Sequence, residues 1–423
     1  MEKESKQRFR LTKLERAWIL YDVGNSAFVL MVATLIPIFF NALAEAGGLS
    51  SVEYLAYWGY ASSAVTVITA VLSPILGTVA DTKGFKKPIF ILCVFVGIVG
   101  CCAMGAASAW LPFLVIFVIA KVGFSGSLVF YDSMLSDVTT PERMDEVSSR
   151  GYAWGYIGSC VPFVVCLGLV LGAGSIGISQ MTALNLALLL TAAWWLLTTL
   201  PLLKSYKQLH YVEVEKHAVR QSFARIGHTL RHLPEDKQVF WFLLAFFCYI
   251  DGVYTIIDMA TAYGTALGLD TTGLLLALLV TQIVAFPSAL IFGRLSNKYP
   301  SAKLIPVCIA AYAGIAVFAF FLTRQWQFWV LAVIVGMFQG GVQALSRSHF
   351  AKIIPPEKSG EYFGLFDICG KGASFLGTMI VSVGSQLTGS ANVGVGSLIV
   401  LFVVGFVLFR VSCKAGIITD SVT

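Results

Sequence analysis

Charge is what this sequence contains least of. Asp, Glu, Lys and Arg make up only 12% of its 423 residues, whereas about a quarter of the residues in a soluble domain are charged. Hydrophobic residues make up 57%, and the mean hydropathy is +0.81. This composition excludes an ordinary water-soluble protein, because most of the chain has to lie in an apolar solvent.

The sequence also lacks the patterns of metal sites and common hydrolases. Its nine cysteines, from Cys93 to Cys413, lie almost entirely in apolar runs without metal-ligand spacing, so they indicate neither disulfides nor a metal site. His228 and His232 are one helical turn apart, but no third ligand completes a site there. No nucleophile motif of the G-x-S-x-G kind is present. We therefore expect no enzyme, no cofactor and no bound metal.

Basic residues form short clusters between apolar runs, in a chain of net charge +6. Scattered clusters are typical of loops that set membrane orientation, so we expect no nucleic-acid partner. With the N-terminus inside, Arg324 is the only basic residue in the predicted exterior loops, and Lys121 falls within a span. The charged N-terminal residues lead into an apolar segment too long for a cleavable signal peptide. The sequence thus predicts that both termini are cytoplasmic.

Apolar runs of about twenty residues, the length that crosses a bilayer, recur along the chain. They must be helices, because lipid offers the backbone no hydrogen-bond partner. The sequence therefore predicts an all-α protein in the lipid bilayer with about 12 transmembrane helices. The predicted spans are 17–41, 54–79, 88–107, 110–135, 148–172, 180–203, 239–263, 271–293, 303–323, 326–350, 361–385 and 393–412.

A polar linker separates two sets of six predicted spans. The prediction is an N-terminal six-helix half at 1–203, a cytoplasmic linker at 204–238 and a C-terminal six-helix half at 239–423. Apolar residues recur in the linker at helical spacing among basic ones, which predicts an amphipathic helix on the inner leaflet, ended by Pro234. Its apolar residues are Val219, Phe223, Ile226, Leu230 and Leu233.

The two halves match one another when the sequence is shifted. A shift of 215 residues places Gly126 on Gly341 and Ser133 on Ser348. A duplicated six-helix unit explains matches at equivalent places, and parallel repeats predict a substrate site between the halves near the bilayer midplane.

The turn after the second predicted span reads Gly77-Thr-Val-Ala-Asp81-Thr-Lys83-Gly84, followed by a basic pair. It resembles the signature loop of the major facilitator superfamily. Gly77 permits close backbone approach, Gly84 permits a tight turn, and Asp81 can meet a helix N-terminus or a cation across the cytoplasmic seam. A second copy, Gly293 to Lys298, carries Asn297 where the first has its acid. An ordinary topogenic turn is the alternative for both copies.

Longer motifs extend the resemblance along the chain. They are Trp18 to Phe28, Val147 to Gly158, Gly340 to Ser348, Tyr362 to Asp367, and Gly370-Lys371. Together they resemble one branch of that superfamily, the vacuole-effluxer-like family. The resemblance implies a major facilitator fold of two six-helix halves and efflux of amino acids or similar small solutes.

Charged residues inside or near the ends of spans indicate function, because a charge at a helix centre costs roughly 2.5 to 3.5 kcal/mol. We predict that Lys121 and Asp251 face the central cavity as its charged poles, although a purely structural ion pair is an alternative. For Asp367 and Lys371, one turn apart, a local ion pair is the alternative to gating. The predicted substrate and ion-coupling residues are Asp22, Asn25, Lys121, Asp251 and Gln343, and the predicted gating residues are Gly77, Asp81, Gly84, Asp367 and Lys371.

These features predict a secondary active transporter of a small polar solute, working by alternating access. Amino-acid efflux coupled to protons is the preferred interpretation, with a lysolipid or drug exporter of the same fold as the alternative. A non-transporting receptor or scaffold is an alternative of a different class. We expect a monomer in the inner (cell) membrane of a bacterium.

Overall fold

The computed structural model of this protein describes residues 9–213, 227–229 and 231–420, which are almost entirely helical. In this part of the chain, eleven helical segments are long and apolar enough to cross a membrane. A further helix of 30 residues, Ser359–Thr388, packs among them. The all-α membrane architecture is therefore confirmed, and the number of helices is consistent with the predicted count of about 12.

The N-terminal set of spans comprises eight helices, of which α6 is a single turn. They are α1 (Lys13–Ala33), α2 (Leu35–Ala46), α3 (Ser51–Ala80), α4 (Lys86–Gly105), α5 (Trp110–Ser133), α6 (Leu135–Val138), α7 (Met144–Leu171) and α8 (Gln180–Ser205).

The C-terminal set comprises seven helices and follows a short 3-10 turn at Leu233–Glu235. They are α9 (Lys237–Ala266), α10 (Thr271–Leu295), α11 (Ser301–Phe320), α12 (Gln325–Ile353), α13 (Ser359–Thr388), α14 (Ala391–Gly396) and α15 (Ile399–Asp420).

Several helices begin at side chains that satisfy the free amides of a first turn. At Thr12 and Ser50 the hydroxyl accepts from the amide three residues on, and Glu15 or Glu53 there accepts from the capping residue's amide in return. Asp270 caps α10 through the amide of Gly273. These caps place the ends of three spans close to where the apolar runs predict them.

The first predicted span, 17–41, is broken into α1 and α2 at Thr34, which has a non-helical φ of −132°. Pro37 explains the break, because its ring clashes with the carbonyl of the residue four positions earlier, Ala33. The hydroxyl of Thr34 donates to the carbonyl of Leu30 and so satisfies one group that the break leaves free.

Most of the predicted amphipathic helix of the linker lies outside the described residues, at 214–226 and 230. Pro234 lies within the 3-10 turn that precedes α9. The beginning of the linker is described as far as Glu213, and it runs back along the N-terminal set of spans.

The two sets of spans meet along a seam formed by α3 against α13 and by α7 against α10 and α12. Hydrogen bonds across this seam gather toward one end of the bundle, where α3 ends and α4 and α13 begin. We call this the closed end. The candidate site lies at the closed end and along the seam beyond it.

Candidate transport site and latch

At the closed end, α3 and α13 approach so closely that only glycine fits. A Cβ at Gly77 would overlap the carbonyl of Gly360, and a Cβ at Gly360 would come within 2.6 Å of the carbonyl oxygen of Gly77. One turn deeper, a Cβ at Gly364 would lie 2.7 Å from the Cα of Pro74. The signature loop therefore sits on a backbone-to-backbone contact between the two sets of spans.

Asp81 caps the N-terminus of α13 from across the seam. Its two carboxylate oxygens accept from the amides of Gly360 at 2.7 Å and Glu361 at 2.8 Å. These amides belong to the first turn of α13, where the helix itself provides no acceptor. The ammonium of Lys86 lies 3.7 Å from Asp81 and donates to the hydroxyl of Ser359 at 2.8 Å. This constellation, with Gly77 and Gly360, is the latch.

Burial raises the pKa of Asp81 to about 6 at the closed end, and the opposing attraction of Lys86 only partly offsets this. If this end opens during transport, we expect the hydrated carboxyl to return toward its usual pKa of 3.8. Protonation of Asp81 would then favour the closed end most at low pH and progressively less as the pH rises through about 6.

The second copy of the signature loop makes a different contact. The amide nitrogen of Asn297 donates to a carboxylate oxygen of Glu146 at 2.9 Å, so it joins α10 to the start of α7. A Cβ at Gly293 would lie 2.8 Å from the Cβ of Ser149, which shows a second close approach. Asn297 thus replaces an acid because its partner is itself an acid.

Replacing Asn297 with aspartate should weaken the closed end. Asn297→Asp places one carboxylate against Glu146 and should destabilise the protein by roughly 1 to 2 kcal/mol, within the range measured for coupled neighbours. Thermal unfolding in detergent would measure the loss. The double variant Asn297→Asp with Glu146→Gln restores a donor and an acceptor, so it should recover much of the stability. Equal stability of wild type and Asn297→Asp would contradict the contact.

Beyond the latch, a buried arginine of α12 joins the two sets of spans. Arg347 is 2% exposed; its Nη1 donates to Asp132 of α5 at 2.9 Å and lies 3.8 Å from Asp22 of α1. It also donates to the hydroxyl and carbonyl of Ser148 on α7. Asp132 and Arg347 are equivalent positions under the 215-residue shift, so residues related by the repeat contact each other. Such a contact has to lie near the repeat axis.

Aromatic rings surround the guanidinium of Arg347. Its Cζ lies 4.3 Å from the ring centroid of Tyr152, 4.7 Å from that of Trp18 and 5.4 Å from that of Tyr131. These contacts provide cation–π attraction where water is scarce. The triad of Arg347, Asp132 and Asp22 is therefore held rigidly at the seam.

The two carboxylate oxygens of Asp22 have different surroundings, and Oδ2 is the one that faces Arg347. Asn25 donates to the carbonyl of Tyr21 at 3.1 Å and makes a long contact of 3.5 Å with Asp22 Oδ1. Oδ2 is buried and has no hydrogen bond in the described part of the chain. A Cβ at Gly151 would lie 3.1 Å from this oxygen, so a glycine keeps α7 close while leaving the carboxylate room.

The structure does not bring Lys121 and Asp251 together. Asp251 is 0% exposed and accepts from the amide of Gly377 at 2.9 Å and from the hydroxyl of Thr255 at 3.3 Å, so it ties α9 to α13 within one set of spans. The expectation that Asp251 faces a central cavity does not fit this geometry. Asp258, two turns further along α9, is an acid close enough to Lys121 to be stabilised by its positive charge.

Two further charges lie beyond the triad, Lys121 on α5 and Asp258 on α9. Lys121 is half-buried beside the rings of Phe124 and Phe28, at 4.7 and 6.0 Å, and Asp258 is exposed. Eleven residues separate Lys121 from Asp132 on α5, so the two layers of charge lie roughly 16 Å apart along the helix. The sequence does not show that Asp251 is buried against the amide of Gly377, and for this reason it predicted Asp251 as a site residue.

Two tyrosines show how the repeats correspond. The hydroxyl of Tyr21 bonds Ser127 of α5 at 2.7 Å, and that of Tyr249 bonds Ser346 of α12 at 2.7 Å. Tyr21 and Tyr249 therefore occupy equivalent places. Asp22 follows the first tyrosine by one residue and Asp251 the second by two, so the two acids point in different directions.

Two of the remaining predicted site residues, Gln343 and Asp367, also lie at the seam. The hydroxyl of Tyr156 donates to Gln343 at 2.5 Å, and that of Ser73 donates to Asp367 at 2.8 Å. Gly84 has a φ of +80°, which the tight turn after Asp81 requires. The side chain of Lys371 lies outside the described residues, so the predicted pair with Asp367 stays a prediction.

Sequence reasoning missed several residues that the structure places in these contacts. Arg347 and Asp258 were visible as charges near or within apolar spans, and the 215-residue shift relates Arg347 to Asp132, but neither Arg347 nor Asp258 was among the predicted site residues. Gly360 precedes a motif and carries no signal of its own. The further residues missed at the closed end are Asp137, Asp145, Glu146, Ser148 and Lys352.

Comparison with known proteins places the chain in a family. The sequence profile of the family described as "Vacuole effluxer Atg22 like" matches residues 12–142 and 136–417. The "Uncharacterized MFS-type transporter YxiO" of Bacillus subtilis (strain 168) is 42% identical over 404 residues, which is 94% of each chain. Autophagy-related protein 22 of Coccidioides immitis (strain RS) is 25% identical over 312 residues. That alignment spans 63% of this chain and 51% of the fungal protein.

Solved structures share the fold. The human organic anion transporter MFSD10 (TETRAN) gives a TM-score of 0.71 at 15% identity, covering 94% of this chain and 98% of that one. The major facilitator superfamily transporter FucP in the outward conformation gives 0.70 at 16% identity, covering 95% and 97%. With the profile match over most of its length, the chain is a multi-pass membrane protein that belongs to the vacuole effluxer Atg22-like family of the major facilitator superfamily.

Proposed function

We propose that this protein is a proton-coupled secondary transporter that exports amino acids or similar small zwitterionic solutes by alternating access. The observation that carries this proposal is the triad of Arg347, Asp132 and Asp22, which joins charges of both sets of spans at the seam. Buried charges of this kind are retained where they bind or couple, since they are costly in a bilayer. The two sets act as halves that rock about the seam.

The charges at the seam suit a zwitterion. Lys121 and Asp258 come from opposite halves, and the first is half-buried and the second exposed, so they offer a cation to a carboxylate and an anion to an ammonium group. A substrate that pairs with both leaves no buried charge unmatched, which lowers the cost of enclosing it. Tyr156 and Gln343 lie between this pair and the closed end and bridge the halves.

Asp22 is the proposed proton carrier. Its Oδ2 is buried without a hydrogen bond in the described residues, and its cation is 3.8 Å away on the opposite half. Separation of the halves removes Arg347 from Asp22 and admits water to the carboxyl, so the surroundings that decide whether Asp22 holds a proton differ between the two conformations. Opening of the seam is thereby linked to the protonation of Asp22.

Asp22→Asn should abolish pH-driven transport while sparing exchange of substrate. The amide keeps the size of the carboxyl but cannot take up and release a proton. Uptake of radiolabelled neutral amino acids into proteoliposomes, with and without a pH gradient, would measure the first effect, and counterflow the second. Asp270→Asn at the exposed cap of α10 is the control and should behave like wild type. Wild-type pH-driven uptake by Asp22→Asn would rule out this carrier.

The cargo itself is tested on the same vesicles. A panel of amino acids, a lysophospholipid and a cationic drug separates the proposed solute class from the alternative exporters, and flux of none of them favours a receptor or scaffold. A monomer suffices for this mechanism, because the seam lies within one chain.

We also propose that the closed end is cytoplasmic, in the inner membrane of a bacterium, so that the described conformation is open to the outside. The support is the basic residues near this end. Lys298→Cys should react with a membrane-impermeant maleimide only after cells are opened, and Glu45→Cys should react in intact cells. Both positions are exposed, and the unsubstituted protein controls for its own cysteines. The reverse labelling pattern would invert the topology.

A further inference from the structure

The segment that leaves α8, Tyr206–Glu213, lies against the latch rather than in solvent. The amide of Val212 donates to the carbonyl of Asp81 at 2.8 Å, and the amide of Lys83 donates back to Val212 at 3.3 Å. Gln208 accepts from the amide of Gly84 at 2.9 Å and donates to the carbonyl of Ala80 at 3.1 Å. We call this segment the strap. It binds the backbone of the signature loop from Ala80 to Gly84.

The strap also surrounds a buried acid, Asp137. This side chain is wholly buried at the end of α6. It accepts from the hydroxyl of Tyr206 at 2.6 Å and from the amides of Leu209 and His210 at 3.2 and 2.9 Å, and His210 Nδ1 lies 2.9 Å away. Four groups of the strap thus compensate one carboxylate.

Asp137 in turn holds the cation of the latch. The Lys86 ammonium, itself 0% exposed, lies 3.7 Å from Asp137 and 3.7 Å from Asp81. A buried cation between two acids is drawn more strongly to whichever acid has fewer other partners. Because these donors stabilise Asp137, Lys86 can interact with Asp81 and with Ser359, which lies across the seam.

We propose that Tyr206 and His210 of the strap are positioning residues for the latch: by satisfying Asp137 they hold Lys86 toward Asp81 and keep the closed end shut. Because the strap is the start of the chain that connects the two halves, displacement of this connection releases the latch. The linker of this protein thereby controls its closed end.

Removing the two donors should open the latch. In the double variant Tyr206→Phe with His210→Ala, Lys86 shifts toward Asp137, and Asp81 holds α13 less firmly. Amide hydrogen exchange at Gly360 and Glu361, which donate to Asp81, reports this opening directly. We expect about tenfold faster exchange there, equivalent to about 1.4 kcal/mol, with unchanged exchange in the interior of α5.

Two matched variants separate positioning from a merely structural role. Glu213→Gln breaks only the exposed contact of the same strap with Lys83, whose side chains are 82% and 59% exposed, so it should leave exchange unchanged. His210→Asn alone keeps an amide donor for Asp137, so exchange at Gly360 and Glu361 should stay slow in this variant, in which Tyr206 is intact. Tyr206→Phe alone provides a milder test if the double variant folds poorly.

The proposal is overturned if exchange at Gly360 and Glu361 is unchanged in the folded double variant. Exchange that rises uniformly across the spans, or rises equally in Glu213→Gln, also overturns it, because either outcome reduces the strap to general packing. The measurement uses the full chain in detergent or nanodiscs without substrate. Its outcome is therefore independent of the proposed cargo.

Discussion

Arg347→Gln is expected to abolish transport and to destabilise the protein by about 3–5 kcal/mol, the typical cost of removing one partner from a buried ion pair. Without the guanidinium, Asp22 and Asp132 remain buried and lose their shared cation, and Ser148 loses two donors. Lysine cannot substitute, because one ammonium cannot reproduce these forked contacts. Thermal unfolding in detergent and counterflow in proteoliposomes would measure the two losses.

The controls for Arg347 distinguish folding from function. Arg324→Gln changes an exposed side chain at the start of the same helix, so it should leave both stability and transport unchanged. Arg347→Gln combined with Asp132→Asn removes the cation and one acid together, so it should recover part of the stability. If that double variant also regained wild-type transport, the ion pairs of the triad would have only a structural role.

Gly77→Val should hold the closed end open and reduce transport by roughly one to two orders of magnitude. The new side chain would overlap the backbone of Gly360, and overpacking costs about 1–3 kcal/mol. Only the closed conformation meets this clash, so the equilibrium shifts toward opening at this end by roughly 5- to 150-fold. Counterflow measures the transport loss, and hydrogen exchange at the start of α13 measures the opening.

Gly59→Val is the matched control, because it lies on the same helix, α3, and a Cβ there has nothing within 4 Å. It should transport at close to the wild-type rate, which would show that valine itself is tolerated in this helix. Normal transport by Gly77→Val would show that α3 and α13 need not touch during the cycle.

Much of the fold follows from local properties of the chain. Apolar runs of spanning length predict helices because the bilayer forbids unpaired backbone groups, and this reasoning located the spans without any tertiary information. The break at Thr34 is equally local, since Pro37 was visible in the sequence and its clash with Ala33 is a matter of backbone geometry. The signature loop was identified by its resemblance to a family motif, and Gly84 of that motif has the positive φ that its tight turn requires.

The candidate site divides differently. The sequence by itself determined that charges lie in the membrane and that Gly77 and Asp81 belong to a signature loop, because a charge in an apolar run and a glycine before a turn can be recognised without neighbours. Which charges meet was decided only by the tertiary structure. Asp251 pairs with an amide of its own half, whereas Arg347 reaches Asp132 across the repeat axis. Partners from helices more than two hundred residues apart are chosen by how the helices cross, and no local pattern records that geometry.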